Sequence, residues 1–223
     1  MNETFLIIDG SSLIHRAFFA LPSFTNKKGV NTGAVYGLCN MLLKLLEEVK
    51  PSYMAVAFDK SRHSFRTEKF ADYKGQRKAT PPELKEQFPL AIELLTSMGI
   101  PTLEMDNYEA DDLIATLVKP LMPNGHQATL ISTDKGFCQL LDSGLQIRDY
   151  FNKRWLDHAF VQQQYGLLPA QLVDFWSLTG ISGMNIKGVP GIGEKTAQQL
   201  LAEYGSLANL LSADASENKK ALL

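Results

Sequence analysis

The stretch FLIID at positions 5–9 predicts a strand with an acidic residue at its carboxyl end, because four apolar residues in a row end directly in an aspartate. Similar apolar runs of strand length lie at 54–58, 100–104 and 128–132. Amphipathic patterns between them predict a helix over about 32–49 and another over 84–98, the latter with a kink at Pro89. Strands that alternate with helices predict an α/β fold whose parallel sheet carries helices on both faces.

The pattern changes after about residue 168, where it becomes helical only, with glycine turns at 180–183 and 188–193. We therefore expect an α/β domain over 1–168 and an all-helical module over 169–223. Neither a transmembrane helix nor a signal peptide is expected, since the chain has no long apolar run and no basic leader. Cys39 and Cys138 lie in apolar contexts and are interpreted as reduced core thiols of a cytosolic protein.

Charge is distributed unevenly along the chain, although the net charge is only −2. The basic strip, residues 60–78, carries seven lysines and arginines against two acids. Such a strip favours a polyanion as partner, and a solvated charged loop is the alternative. Aromatic residues interleaved with the charges are typical of single-stranded nucleic-acid binding. For Phe65 and Phe70 we favour packing under the loop, whereas for Tyr73 stacking and packing are equally supported.

Six carboxylates are expected at one edge of the sheet. Asp9, Asp59 and Asp134 follow strands, and Glu109, Asp111 and Asp112 open a helical pattern. The carboxyl ends of parallel strands meet at the same edge, where ligands bind. Helix capping would account for one or two of these acids, but not for six together. Their mutual repulsion calls for a hard cation, and oxygen-only ligands favour Mg²⁺ or Mn²⁺ over zinc.

A glycine-rich turn, KGVPGIGEKTA at 187–197, precedes the last helical pattern. Its glycines leave backbone amides free at a helix N-terminus, where they bind phosphate without regard to base. The alternative for such a turn in isolation is a tight connection between helices.

Six motifs in this order identify the chain as similar to the 5′-nuclease, or flap endonuclease, family: FLIIDGSSLIHRAFFA, AVAFD, FRTEKFADYKGQR, YEADDLIATL, STDKG and GVPGIGEKTA. The first half most resembles the 5′-nuclease domain of bacterial DNA polymerase I. The stretches STDKGFCQLLDSGLQIRDYFNKRWLD and LVDFWSLTGIS are more similar to stand-alone exonuclease IX (Xni) proteins. The resemblance implies a PIN-like nuclease domain with a basic arch at about 60–88, followed by a helix-hairpin-helix (H3TH) module.

The resemblance also implies a role for each motif residue. The implied metal ligands are Asp9, Asp59, Glu109, Asp111, Asp112 and Asp134. Catalysis is assigned to Lys74, Arg77 and Asp111, with the two cations at the scissile phosphate. DNA contacts are assigned to Arg16, Arg66, Tyr73, Lys74, Arg77, Gly188, Gly191, Gly193 and Lys195, and a potassium site to Val189 and Ile192.

The chain departs from the family at the second metal site. Gly136, Ile181 and Met184 stand where two-metal members carry acids, so one tight Mg²⁺ or Mn²⁺ site is expected. The mixed subfamily character, and relatives that continue beyond a point like Leu223, are compatible with a truncated or engineered chain.

The expected function is hydrolysis of phosphodiesters near the 5′ end of flapped or single-stranded-ended DNA, by a cytoplasmic monomer. One alternative is a structure-specific DNA-binding protein with weak or no catalysis, because the second metal site is lost. A small-molecule phosphohydrolase shares acidic strand ends, but the basic strip and the glycine-rich turn argue against it.

Overall fold

A computed structural model describes residues 3–121 and 125–213 of the chain. Its strands are β1 (Thr4–Asp9), β2 (Tyr53–Ala57), β3 (Thr102–Leu103), β4 (Gln127–Ile131), β5 (Leu145–Asp149), β6 (Arg154–Trp155), β7 (Gly180–Ile181) and β8 (Ile186–Lys187). Its helices are α1 (Gly10–Ala20), α2 (Gly33–Val49), α3 (Phe65–Lys69), α4 (Pro82–Lys85), α5 (Gln87–Ser97), α6 (Ala110–Leu121), α7 (His158–Tyr165), α8 (Leu172–Thr179), α9 (Glu194–Tyr204) and α10 (Leu207–Ser212).

The main sheet has six strands in the order β3-β2-β1-β4-β5-β6. The first five are parallel, and β6 runs antiparallel to β5. All four predicted strands are present, although β3 is shorter than its apolar run. Strands β5 and β6 were not predicted from the sequence. In β5 the buried Leu145 and Ile147 alternate with the exposed Gln146, so no continuous apolar run marks it.

The sheet is covered by helices on both faces, as predicted. Successive residues of a strand point to opposite faces, so Leu6 and Ile8 join one core cluster and Ile7 joins another. The first cluster includes apolar residues of α1, α2 and α5, and the second those of α6, α7 and the start of α8. The fold of the α/β part is therefore the one expected from its alternating pattern.

The helical prediction for 84–98 needs a correction. The structure has two helices there, α4 and α5, which are separated at Glu86, and α5 runs on through Pro89. Pro89 lies in the first turn of α5, where a backbone N–H has no acceptor within the helix. The proline ring therefore removes no hydrogen bond and does not disturb the helix.

The C-terminal part is mainly helical, with its own apolar cluster centred on Phe175, Leu178, Leu200 and Leu201. Tyr165 and Trp176 contact both this cluster and the second cluster of the sheet. The expectation of helices alone was wrong in one detail, because β7 and β8 form a small antiparallel pair before α9.

Cys138 is a buried free thiol and Cys39 a half-buried one. Among residues 3–121 and 125–213, none of the helices has the length and apolar character that crossing a membrane requires.

Candidate active site

Asp9 is held at the end of β1 by hydroxyl and amide donors. One carboxylate oxygen accepts from the Ser12 N–H at 2.9 Å, which makes Asp9 the N-cap of α1. The other oxygen accepts from Ser132 Oγ at 2.8 Å. The side chain is only 4% exposed, so both contacts fix its position within the sheet edge.

Asp59 and Asp134 are fixed at the same edge by neighbouring backbone amides. Asp59 Oδ1 accepts from the N–H of Ala110, the first residue of α6, at 2.8 Å. Asp134 Oδ1 accepts from the Gly136 N–H at 2.7 Å. Ser132 Oγ, the donor to Asp9, accepts from the Asp134 N–H at 3.1 Å. A hydroxyl at the end of β4 thus connects two predicted site residues, and no sequence pattern marks Ser132 for this role.

The carboxylates at this edge disturb one another electrostatically. Burial raises the pKa of Asp111 to about 8, and repulsion from Asp9, Asp134 and Asp59 adds to the shift. Burial also raises the pKa of Asp9 to about 6, although hydrogen bonds from Ser12 and Ser132 oppose it. The structure therefore brings together four of the six predicted metal ligands in one repulsive group.

This donor set suits a hard divalent cation, because every donor is a carboxylate oxygen and the charge of Lys74 offsets the repulsion at Asp111 only in part. Within the described ranges, however, no three acidic, histidine or cysteine side chains already form a cluster that could hold an ion. A divalent cation bound at this edge would offset the repulsion among these carboxylates.

Glu109 and Asp112 differ from the other four acids, because cationic and phenolic partners from the basic strip contact them. Glu109 accepts from Lys74 Nζ and from the Tyr73 hydroxyl, both at 3.0 Å. Asp112 forms two hydrogen bonds of 2.7 Å with the Arg66 guanidinium. Burial alone would raise the pKa of Asp112, but the hydrogen bonds from Arg66 and from the Glu109 N–H outweigh it and lower that pKa. Metal ligation by these two acids stays a prediction.

Four of the cations predicted to contact DNA occupy two kinds of position. Arg66 is half-buried against Asp112, and Lys74 faces Glu109 with a side chain 20% exposed. Arg77 is exposed, and Arg16 is exposed on α1, 5.8 Å from the ring centre of Phe151. The predicted DNA contacts of Arg16, Arg66 and Arg77 stay predictions.

The aromatic residues of the basic strip are not packed and exposed in the way that the sequence predicts. Tyr73 is 6% exposed, and its hydroxyl donates to Glu109, so packing describes its place in this structure. Phe65 packs on Tyr108, with ring centres 5.7 Å apart. Phe70, for which packing was favoured, is 41% exposed and lines a cavity next to the carboxylates.

That cavity has a volume of about 630 Å³ and is bordered by Glu109, Asp111, Asp112 and Asp134. Gly136, Ile181 and Met184, the three positions without the expected acids, all line it. Trp176 and Ile186 extend the apolar wall. The tertiary structure thus gathers the three departures from the family pattern in one place, beside Asp111 and Asp134 of the repelling group.

The glycines of the predicted hairpin serve different purposes. A Cβ on Gly188 would collide with backbone atoms of Leu178, Thr179 and Gly180, so close packing requires glycine there. Gly191 is exposed with φ +83°, a conformation that favours glycine. Gly193 is the exposed N-cap of α9, followed by the exposed Lys195. The residues predicted to meet phosphate and potassium lie together in this turn, and both bindings stay predictions.

Comparison with known proteins defines the class. Residues 4–166 match the family model described as 5′-3′ exonuclease, N-terminal resolvase-like domain. Residues 167–222 match the model described as 5′-3′ exonuclease, C-terminal SAM fold. The chain therefore belongs to the 5′-3′ exonuclease family, which confirms the resemblance carried by the six motifs.

Two curated proteins show which members of this family the chain is similar to. Flap endonuclease Xni of Tolumonas auensis is 56% identical over 229 residues, covering 96% of this chain and 84% of the relative. DNA polymerase I of Bacillus caldotenax is 46% identical over 217 residues, covering 95% of this chain and 25% of the polymerase. The two groups that the motifs resemble, the Xni proteins and DNA polymerase I, are thus both found among the relatives.

A solved structure confirms the fold. The flap endonuclease of bacteriophage T5, crystallised as a pseudo-enzyme–product complex with DNA and metal ions, superposes with a TM-score of 0.76. The match covers 98% of this chain and 83% of that one, at 24% sequence identity.

Proposed function

We propose that this protein is a metal-dependent nuclease that hydrolyses phosphodiesters near the 5′ end of flapped or branched DNA. One observation carries the proposal: four mutually repelling carboxylates gather at the sheet edge, and the Lys74 ammonium of the basic strip lies close enough to interact with Asp111 of that group. Membership of the 5′-3′ exonuclease family and the similarity to a protein named flap endonuclease support it.

Mg²⁺ or Mn²⁺ is the proposed cofactor, with one tight site. Asp9, Asp59, Asp111 and Asp134 would hold it, and Glu109 and Asp112 would lie at its periphery. A bound divalent cation lowers the pKa of a coordinated water and stabilises negative charge on a phosphate. Asp111, whose pKa is raised to about 8 in the metal-free protein, would release its proton when the cation binds.

Lys74 is the proposed transition-state stabiliser. Its ammonium is 3.0 Å from Glu109 Oε1. Burial works against the charged form, but the hydrogen bond and charge of Glu109 raise the pKa of Lys74, so it stays charged at neutral pH. A preorganised cation aimed at a developing phosphate charge is an effective device for catalysis.

DNA would be held by groups on both parts of the chain. The proposed contacts are the side chains of Arg16, Arg66, Tyr73, Arg77 and Lys195 and the backbone at Gly188, Gly191 and Gly193. A potassium ion at the Val189 and Ile192 carbonyls would support the turn between them. We further propose that the protein acts as a cytoplasmic monomer.

The rival proposal is a DNA-binding protein with little catalysis, and one observation favours it. The cavity wall beside the acids is apolar at Ile181, Met184 and Trp176, where a second cation would find no ligand.

Cleavage of a labelled flap substrate in Mg²⁺ and in Mn²⁺ separates the two proposals. We expect cleavage by the parent and a loss of at least about tenfold, or ~1.4 kcal/mol in barrier, for Asp111→Asn. Asp106→Asn is the matched control, because Asp106 is 82% exposed and paired only with Lys60. Tight flap binding without cleavage in either ion would favour the rival, and undiminished cleavage in a chelator would exclude metal dependence.

A further inference from the structure

The turn that presents Lys74 is tied to the hairpin between β7 and β8. Asn185 Nδ2 donates to the Asp72 carbonyl at 3.0 Å, and Gln76 Nε2 donates to Asn185 Oδ1 at 3.3 Å. The Lys74 N–H donates to the Met184 carbonyl at 2.9 Å. Three hydrogen bonds therefore connect segments that lie more than 100 residues apart in sequence.

The conformation of this contact explains why asparagine stands at position 185. Asn185 has φ +57°, a left-handed conformation that asparagine tolerates better than most residues. Its amide supplies one donor and one acceptor at once, and both are used. An aspartate would keep an acceptor for Gln76 but would lose the donor to the Asp72 carbonyl.

Lys74 has an unusual backbone of its own, with φ +53°. Residues with long side chains rarely hold this conformation unless surrounding contacts impose it. The contacts that impose it here are the Met184 carbonyl on Lys74 itself and Asn185 on either side, at Asp72 and Gln76. The same turn directs the Lys74 ammonium to Glu109 at the carboxylate edge.

We propose that Asn185 is a positioning residue for Lys74, acting through the Asp72–Gln76 turn. The inference rests on the proposed function, because it takes Lys74 as the group that meets the scissile phosphate. It adds a physical link between the two family modules: the strand β8 that follows Asn185 leads directly into the glycine-rich turn at 188–193. The DNA-binding module thereby sets the position of the Lys74 ammonium group.

The test is a double-mutant cycle on single-turnover flap cleavage at saturating DNA. Asn185→Gly keeps the left-handed backbone and removes both side-chain hydrogen bonds. A misplaced catalytic group costs up to roughly 100-fold in rate, so we expect a loss between about 10- and 100-fold with little change in the Kd for DNA. In a Lys74→Ala background the same substitution should have little further effect. Ser182→Ala, an exposed residue of the same hairpin, is the control and should match the parent.

A purely structural role predicts a different pattern. Asn185→Gly would then lower the melting temperature and DNA affinity, and its effect on rate would multiply with that of Lys74→Ala. Asn185→Asp, which retains one of the two contacts, keeps the test decisive if Asn185→Gly does not fold, and it should show a partial rate loss with the same dependence on Lys74. A parent that cleaves flaps while Asn185→Gly cleaves equally fast overturns this inference and leaves the proposed function intact. A parent that does not cleave overturns both.

Discussion

Asp112→Asn tests whether the acids at the sheet edge form two groups, those that pair with cations and those that repel one another. The substitution keeps the size of the side chain but removes the charge that accepts two hydrogen bonds of 2.7 Å from Arg66. The side chains of Arg66 and Asp112 are 32% and 21% exposed, so solvent screens the pair only in part. Exposed ion pairs contribute about 0.2–1 kcal/mol, and hydrogen bonds to charged groups about 1.5–3 kcal/mol. We therefore expect a loss of about 1–3 kcal/mol in the free energy of unfolding.

The loss should depend on pH in a defined direction. The pKa of Asp112 is lower in the folded protein than in the unfolded chain. The stabilisation by the pair is therefore fully present above the unfolded pKa of about 3.9, and it disappears as pH falls through the folded value. The parent and Asp112→Asn should differ equally from pH 5 to pH 7 and converge in stronger acid.

Thermal melting in a chelator, followed by titration with Mn²⁺, measures both consequences. For a domain of this size about 2–4 °C corresponds to 1 kcal/mol, so the melting temperature should fall by roughly 2–12 °C. Asp106→Asn breaks an exposed ion pair of the same 2.7 Å length and should change little. Unchanged melting together with Mn²⁺ affinity reduced tenfold or more would contradict the pairing role and make Asp112 a metal ligand.

Three further predictions concern metal and DNA. Because burial raises the pKa of Asp111 to about 8 in the folded protein, the metal-free protein should lose stability as pH rises from about 4 to 8. Asp111→Asn should flatten this slope of unfolding free energy against pH, measured by urea unfolding. An unchanged slope would show that Asp111 is not the group responsible. Gly136→Asp, Ile181→Asp and Met184→Asp together should add a second Mn²⁺ site in calorimetry and raise flap cleavage about tenfold or more. Gly136 does not have a positive φ, so an aspartate there meets no strain of that kind. A second ion without faster cleavage would show that another step limits the rate. Lys195→Ala should weaken DNA binding and lower the slope of log affinity against log salt by about 1, and an identical slope would exclude a phosphate contact.

Local patterns were sufficient for the parts of the fold that depend on local rules. Apolar runs ending in Asp9, Asp59 and Asp134 predicted both the strands and the edge where these acids meet, because parallel strands place their carboxyl ends together. The amphipathic repeat likewise located α2 within a residue at its N-terminus. The β5 strand escaped, because its alternating pattern over five residues is shared by many loops.

Which acidic side chain pairs with which donor depends on the tertiary structure. Six acids looked equivalent in the sequence, yet Asp112 meets Arg66 across 46 positions and Asp9 meets Ser132 across 123. Neither pairing leaves a local signal, because a hydrogen bond depends on distance in space and not on spacing along the chain. Residue identity and strand order were enough to predict which chemical groups the edge contains. Only the packing of the basic strip against α6 and the hairpin decided which of them are neutralised by cations and which repel one another.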